Sequence, residues 1–296
     1  MTGRFYAGIE LGGTKAIALV ARNGEIVDRQ IVPTGEPNAT LGALRDWLSE
    51  RREPLSALGI ACFGPVRIDP SAPDYGKILA TPKPGWTGTD VLGCFAPLAL
   101  PSLIDSDVNA AVLAEYRWGA AQGVSCATYV TIGTGVGGGT MVDGATIKGR
   151  LHPEVGHLLL KRADGDAFAG HCSFHGDCVE GLISGPALLA RFGEPPANVG
   201  RDDLRWAAPA HDLATLLVSL IHSYAPQRIL VGGGVAMGAP WLLDLAIDQV
   251  PSLLAGYYPD LDRATLGAMI SAPALGNDAG PLGAIALAQD ALRQSL

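Results

Sequence analysis

FYAGIELGGTKAIALVARNGEIVDRQIV, residues 5–32, decides the fold. A short apolar run, Tyr6–Ile9, leads into Gly12-Gly13-Thr14-Lys15, and a second run, Ala16–Ala21, follows at once. Asn23-Gly24 then joins it to a third run, Glu25–Val32. Asn-Gly between alternating runs is a strong hairpin signal, so the glycine turn lies between two strands. A P-loop or a dinucleotide fingerprint needs a helix directly after its glycines. Here β-branched and small residues continue, and the next turn arrives too soon for a helix. Both of those readings are excluded.

Residues 127–147, ATYVTIGTGVGGGTMVDGATI, repeat the pattern. Tyr129–Ile132 is expected as a strand, Gly133–Gly139 as the turn and Gly139–Val142 as the returning strand, with Asp143-Gly144 as the second hairpin. Two such turns imply an α/β protein of two similar half-domains facing each other. Glycine lets main-chain N–H groups approach a ligand closely, and successive N–H groups form an anion-binding concavity. A plain hairpin would carry the same glycines, so each turn alone is a weak signal. A third cluster, RILVGGGVAMG at 228–238, runs from strand Ile229–Val231 into Gly232-Gly233-Gly234, with a helix expected over Trp241–Gln249. There glycine serves either a flat ligand or close packing of strand on helix.

In LPSLIDSDVNAAVLAEYRWGA, residues 100–120, Leu103-Ile104 closes a strand, and Val108 to about Trp118 has helical spacing. Ser106 or Asp107 is the helix cap. Alternatively, Asp107 at a strand's carboxyl end points into the crevice where open α/β sheets bind ligands, placed to accept a proton from a hydroxyl.

The chain has 296 residues and a net charge of −8, with 48% apolar and 17% charged residues. That is ample core for one large or two ordinary domains. No apolar run is long enough for a membrane span and no signal sequence is evident, so a soluble, cytoplasmic protein is expected. The negative balance argues against nucleic acid as a partner. Cys62, Cys94 and Cys126 stand singly and read as small hydrophobes. By contrast, residues 152–181 hold four of the six histidines and two of the five cysteines. Cys172, His175 and Cys178 recur at intervals of three, which lets a tight turn aim them at one point, as zinc requires. The residues alone leave the fourth ligand open among His152, His157 and His171. His211 and His222 carry no assignment.

Taken in order, GIELGGTK (8–15), SDVNAA (106–111), TIGTGVGGG (131–139), HPEVGH (152–157) and LVGGGV (230–235) resemble the ROK family of sugar kinases and repressors. TPKPGW (81–86) and HCSFHGDCVEG (171–181) resemble its fructokinase, or manno(fructo)kinase, branch. The resemblance runs from Gly8 to about Ala288. Glu10, where many members have Asp, Ser106, where glucokinase-like members have Asn, and the absence of their cysteine-rich segment all count against a glucokinase.

The resemblance implies the two-lobed actin–hexokinase, or ribonuclease H-like, fold around a cleft. The lobes are expected at 1–106 and 107–296, with the last helix, near Leu282–Leu292, returning to the first. It implies transfer of the terminal phosphate of ATP, with Mg²⁺, to the 6-hydroxyl of fructose, Asp107 acting as base. Gly12, Gly13, Thr14 and Lys15 match the first phosphate loop, Thr131, Gly133, Thr134 and Gly135 the second, and Gly232, Gly233 and Gly234 the adenosine motif. Glu154, His157 and Glu180 match sugar-binding positions, and Lys83 and Trp86 lie in a segment near the sugar. It makes His157 the fourth ligand, beside Cys172, His175 and Cys178, of a structural zinc. A homodimer is implied by analogy. The alternatives are a kinase for mannose, glucose or an N-acetylhexosamine, and a sugar-binding member without catalysis. A repressor is not expected, because the first strand begins by Phe5 and leaves no room for a DNA-binding helix-turn-helix.

Overall fold

The computed structural model describes residues 3–296. The chain forms two compact units. Among the described residues one comprises 3–122, 144–153 and 277–296, the other 123–143 and 154–276. The boundary expected at 106/107 therefore falls inside the first unit.

The first unit begins with β1 (Phe5–Leu11), β2 (Lys15–Arg22), β3 (Glu25–Pro33), α1 (Pro37–Ser49), β4 (Leu55–Cys62), α2 (Val91–Phe95), β5 (Ser102–Ser106) and α3 (Asp107–Trp118). The chain continues through β6 (Cys126–Ile132) and β7 (Val136–Val142) to a short β8 (Ala145–Thr146). The second unit then adds α4 (Val179–Ile183), α5 (Gly185–Phe192), α6 (Ala207–Tyr224), β9 (Arg228–Gly232), α7 (Gly234–Gly238), α8 (Trp241–Leu254), α9 (Arg263–Met269) and β10 (Ile270–Ser271). The last helix, α10 (Ala279–Gln294), belongs to the first unit.

Two five-stranded sheets have the same plan, β3-β2-β1-β4-β5 and β8-β7-β6-β9-β10. In each, the first strand pairs antiparallel with the second and parallel with the fourth. This is the duplicated α/β architecture that the repeated glycine turns imply. Both hairpins turn as their sequences require: Asn23 and Gly24 have φ of 54° and 83°, and Asp143 and Gly144 have 49° and 81°. Positive φ at both central residues matches the twist of the flanking strands.

One detail differs from expectation. The second glycine turn is not Gly133–Gly139, because β7 already begins at Val136 and its glycines pair with β6. A side chain at Gly138 would meet Val155 Cγ2 at 2.4 Å. Gly138 makes room for packing, and the turn is Gly133-Thr134-Gly135.

The first unit's core gathers Ile9, Leu11, Leu58, Ile60, Leu44 and Ile104. α10 packs on the opposite face of the sheet, at unusually short range. A Cβ at Gly59 would lie 1.9 Å from Ala284 O, and one at Gly283 would lie 2.3 Å from the Ala110 backbone. Arg117 of α3 clamps the pair, donating to both oxygens of Asp290 at 2.6 and 2.7 Å and to Ala286 O at 2.6 Å. Nη2 serves both carboxylate oxygens while Nη1 takes the carbonyl, so the guanidinium spans the helix with charge-assisted bonds. That packing of α3 on α10 keeps α3 in the first unit. The second unit's core lies around Val130, Val231, Leu213, Leu217, Ile247 and Trp206. No helix among the described residues is long and apolar enough to cross a membrane.

Candidate active site and metal centre

In the first unit, the β5–α3 junction separates the two candidate caps. Ser106 is the N-cap, its Oγ accepting the Asn109 N–H at 3.2 Å. Asp105, fully buried and not singled out from sequence, holds the junction from behind. It accepts from Asn109 Nδ2 at 2.8 Å, from the Ser106 N–H at 2.7 Å and from Thr146 Oγ1 at 3.0 Å. Asp107 is thereby left free of capping. It stands in the first turn, partly exposed, with Oδ1 accepting the adjacent Val108 N–H at 2.9 Å. Burial pushes its carboxyl up to about 6, against the pull of neighbouring N–H groups. That is a suitable poise for a general base near neutral pH.

Glu10, at the end of β1, is pushed up to about 7, chiefly by burial, then by the charges of Asp107 and, less, Asp278. A side chain at Gly280, at the start of α10, would meet Glu10 Oε1 at 2.1 Å. The sequence signal was a carboxylate in an otherwise apolar strand. The adjoining glycine turn is closed by the Gly12 N–H donating to Lys15 O at 3.0 Å. Gly13, Thr14 and Lys15 are exposed, and nothing lies within 4 Å of a Cβ built on Gly13. Lys83 Nζ donates to Gly13 O at 2.6 Å. Trp86 is a core residue, 0% exposed, with Nε1 donating to Gly35 O at 2.9 Å and its ring edge-on to Phe63. It therefore holds its segment in place and presents no face to a sugar.

In the second unit, Gly133 O accepts the Gly185 N–H at 2.7 Å, and the Gly133 N–H donates to Gly135 O at 2.9 Å. Glu180 Oε2 accepts the Val136 N–H at 3.1 Å and would lie 2.6 Å from a Cβ on Gly135. Gly135 thus makes room for Glu180. The third cluster adjoins this turn. Gly233 has φ +91°, and a Cβ there would sit 2.6 Å from Thr131 Oγ1 and 2.5 Å from Ile132 O. Gly234 is open and exposed and begins the short α7, which the sequence reading lacked.

The cysteine–histidine loop is built by two local pairings. Cys172 and Gly176 exchange main-chain hydrogen bonds, both 3.0 Å, which turns His175 back beside Cys172. Leu159 bridges to Cys178, and the Val179 N–H donates to Leu158 O at 3.0 Å, which carries His157 to Cys178. His157 Nδ1 lies 3.8 Å from Cys172 Sγ and 3.5 Å from Cys178 Sγ, and His175 Nδ1 lies 3.8 Å from Cys172 Sγ. All four donor atoms fall within 4.8 Å of one another. A tetrahedron with zinc's usual bond lengths has edges of about 3.3–3.8 Å, so the set fits that ion. Burial, with neighbouring Cys172 adding to it, pushes the Cys178 thiol up to about 11, so a thiolate there needs a cation beside it. His171 stays outside the set. His152 is engaged elsewhere, accepting the Val66 N–H on Nε2 at 3.2 Å. Behind the loop, Arg162 ties Asp177 (3.1 Å) to Asp166 (2.6 Å), and Arg191 joins Asp166 (3.0 Å) to buried Asp212 (3.2 Å). Glu154 is exposed near the start of this region.

A repeated ribonuclease H-like sheet, two glycine turns and an aspartate at a strand end define a class, and comparison places the chain within it. The ROK family model matches residues 6–291, and the chain belongs to that family. It is 38% identical to a fructokinase of Pediococcus pentosaceus, over 97% of this chain and 98% of that one. It is 38% identical to a fructokinase of Zymomonas mobilis, over 96% of each. A ROK glucokinase from Streptomyces griseus, solved in complex with glucose and AMPPNP, superposes with a TM-score of 0.77 at 25% identity, over 97% of this chain and 99% of that one.

Proposed function

We propose that this chain is an ATP-dependent sugar kinase that phosphorylates D-fructose at its 6-hydroxyl. The similarity to fructokinases over nearly the full length carries the reading. Asp107 accepts the hydroxyl proton as the oxygen attacks the terminal phosphorus and ADP leaves. An aspartate already engaged as a helix cap would be a poorer acceptor, and Ser106 relieves it of that work. N–H groups of the Gly12–Lys15 turn and of Thr131, Gly133, Thr134 and Gly135 bind the nucleotide's phosphates, and Gly232–Gly234 lie against its adenosine. Main-chain donors fixed in advance stabilise charge on the transferred group without reorganising. Mg²⁺ bound with ATP neutralises part of the phosphate charge and aligns it.

Glu154 and Glu180 bind sugar hydroxyls. Glu180 keeps a second oxygen for this beside the one that accepts from Val136. His157, Cys172, His175 and Cys178 hold a structural zinc; it cross-links the loop, and a closed four-ligand set leaves it no position for water. With Nδ1 directed at the thiols, His157 keeps Nε2 for the sugar side. The likeness to a glucokinase favours glucose as the second candidate substrate. A coupled ADP-release assay with fructose, glucose and mannose tests the proposal. Turnover fastest with fructose is expected; faster turnover of another sugar moves the assignment to that sugar, and no ADP release with any of them rejects a kinase.

A further inference from the structure

The first glycine turn must satisfy its carbonyl oxygens before its N–H groups can face an anion. Thr34 covers two of them: its Oγ1 donates to Gly12 O at 2.8 Å and its N–H donates to Thr14 O at 2.9 Å. The third, Gly13 O, is covered by the ammonium of Lys83 at 2.6 Å. This lysine lies 70 residues along the chain and is held from both ends. Its own carbonyl accepts the Trp86 N–H at 3.3 Å, and Trp86 is locked in the core by Gly35 and Phe63.

An ammonium carries three donors, and the carbonyl uses one. Among the described residues no carboxylate forms an ion pair with Lys83, so its charge is uncompensated. The cation is needed where it stands. Asp107 and Asp278 already repel Glu10 at this end of the sheet, and Arg29 is committed to Asp278 at 2.7 Å. An arriving phosphate adds further negative charge, and Lys15 alone would have to balance it.

We propose that Lys83 reads the nucleotide's terminal phosphate at the first glycine turn, its two spare donors taking non-bridging oxygens, and that it does not bind the sugar. This rests on the kinase reading above. The mechanism gains a cation that discriminates triphosphate from diphosphate and releases ADP after transfer.

The test is calorimetric binding of Mg-AMPPNP and Mg-ADP to the full chain, to Lys83→Met and to Lys83→Arg, with kinetics for fructose alongside. Lys83→Met is expected to weaken AMPPNP about 10- to 100-fold, the range for a charge-assisted hydrogen bond, with ADP affinity and the fructose KM changed less than about twofold. Lys83→Arg keeps the charge and should recover part of the loss, which also guards against a misfolded methionine variant. Equal weakening of both nucleotides, or a raised fructose KM with AMPPNP binding intact, would overturn the role of Lys83 and leave the kinase standing. Failure of the unmodified chain to bind either nucleotide would overturn both.

Discussion

The two glycine turns sit at equivalent places in sheets of the same order, yet they are furnished differently. The first has its carbonyls covered by a threonine and a lysine, is exposed, and has open space above Gly13. The second is buttressed from within its unit, by the Gly185 N–H on Gly133 O and by Glu180 beneath Gly135 and Val136. One turn is equipped with a cation and the other with a carboxylate. A duplicated scaffold thus repeats its backbone but not its side-chain chemistry.

The sharpest break of that comparison is at Asp107, in the first unit. Asp107→Asn should lower kcat by about 10²–10⁴ while leaving nucleotide affinity within a few-fold, read by steady-state kinetics and calorimetry. Near-normal turnover would remove the aspartate from the chemistry. The same variant should be the more stable protein at neutral pH. The folded carboxyl titrates at about 6 against an ordinary 3.8, so the folded chain binds this proton more tightly than the unfolded chain. Stability from this group is greatest below 3.8 and falls as pH rises through about 6, so the ionised form costs stability above that. Removing the charge should return about 1–3 kcal/mol, visible as a higher Tm.

In the second unit, Cys178→Ser should abolish stoichiometric zinc by elemental analysis, and a strong chelator should do the same to the unmodified protein. Both should raise the sugar KM more than the ATP KM, since an ion held there would brace the loop that carries Glu154 and His157. Retention of one zinc per chain in the variant would contradict the ligand set. The pH profile separates base from scaffold. With Asp107 as base, kcat/KM should fall about tenfold per unit as pH drops below about 6, and a flat profile there would assign the base elsewhere.

The smallest effects compare the turns directly. Gly135→Ala drives a methyl against the Glu180 carboxylate, displaces it from the Val136 N–H and should cost about 0.5–1.5 kcal/mol of stability, the worth of one hydrogen bond. Gly13→Ala meets nothing within 4 Å and should leave Tm unchanged while raising the ATP KM. The reverse pattern would mean that the second turn, and not the first, is the open one.

Much of this was legible in the chain, and the reasons are local. Asn23-Gly24 and Asp143-Gly144 admit positive φ at both turn positions, so the hairpins and their strands could be placed from sequence. The apolar spacing after Asp107 predicted α3 almost to the residue. The glycine run at 133–139 misled because glycine marks both a ligand turn and a tightly packed strand, and only Val155 above Gly138 tells them apart. Trp86 was read near a sugar because a motif cannot show which way an indole faces.

By itself the sequence determined the strand–turn–strand repeat, the helix that starts at Asp107 and the candidate Cys172, His175 and Cys178 ligands. These follow from short-range backbone preferences and near-neighbour spacing. Tertiary structure alone decided that Ser106 and not Asp107 caps α3 and that Lys83 and Glu180 serve different turns, and it brought His157, the ligand the family resemblance implies, and not His171 beside the two thiols and His175. Each of those depends on where residues far apart in the chain come to rest, and packing, not local propensity, sets that.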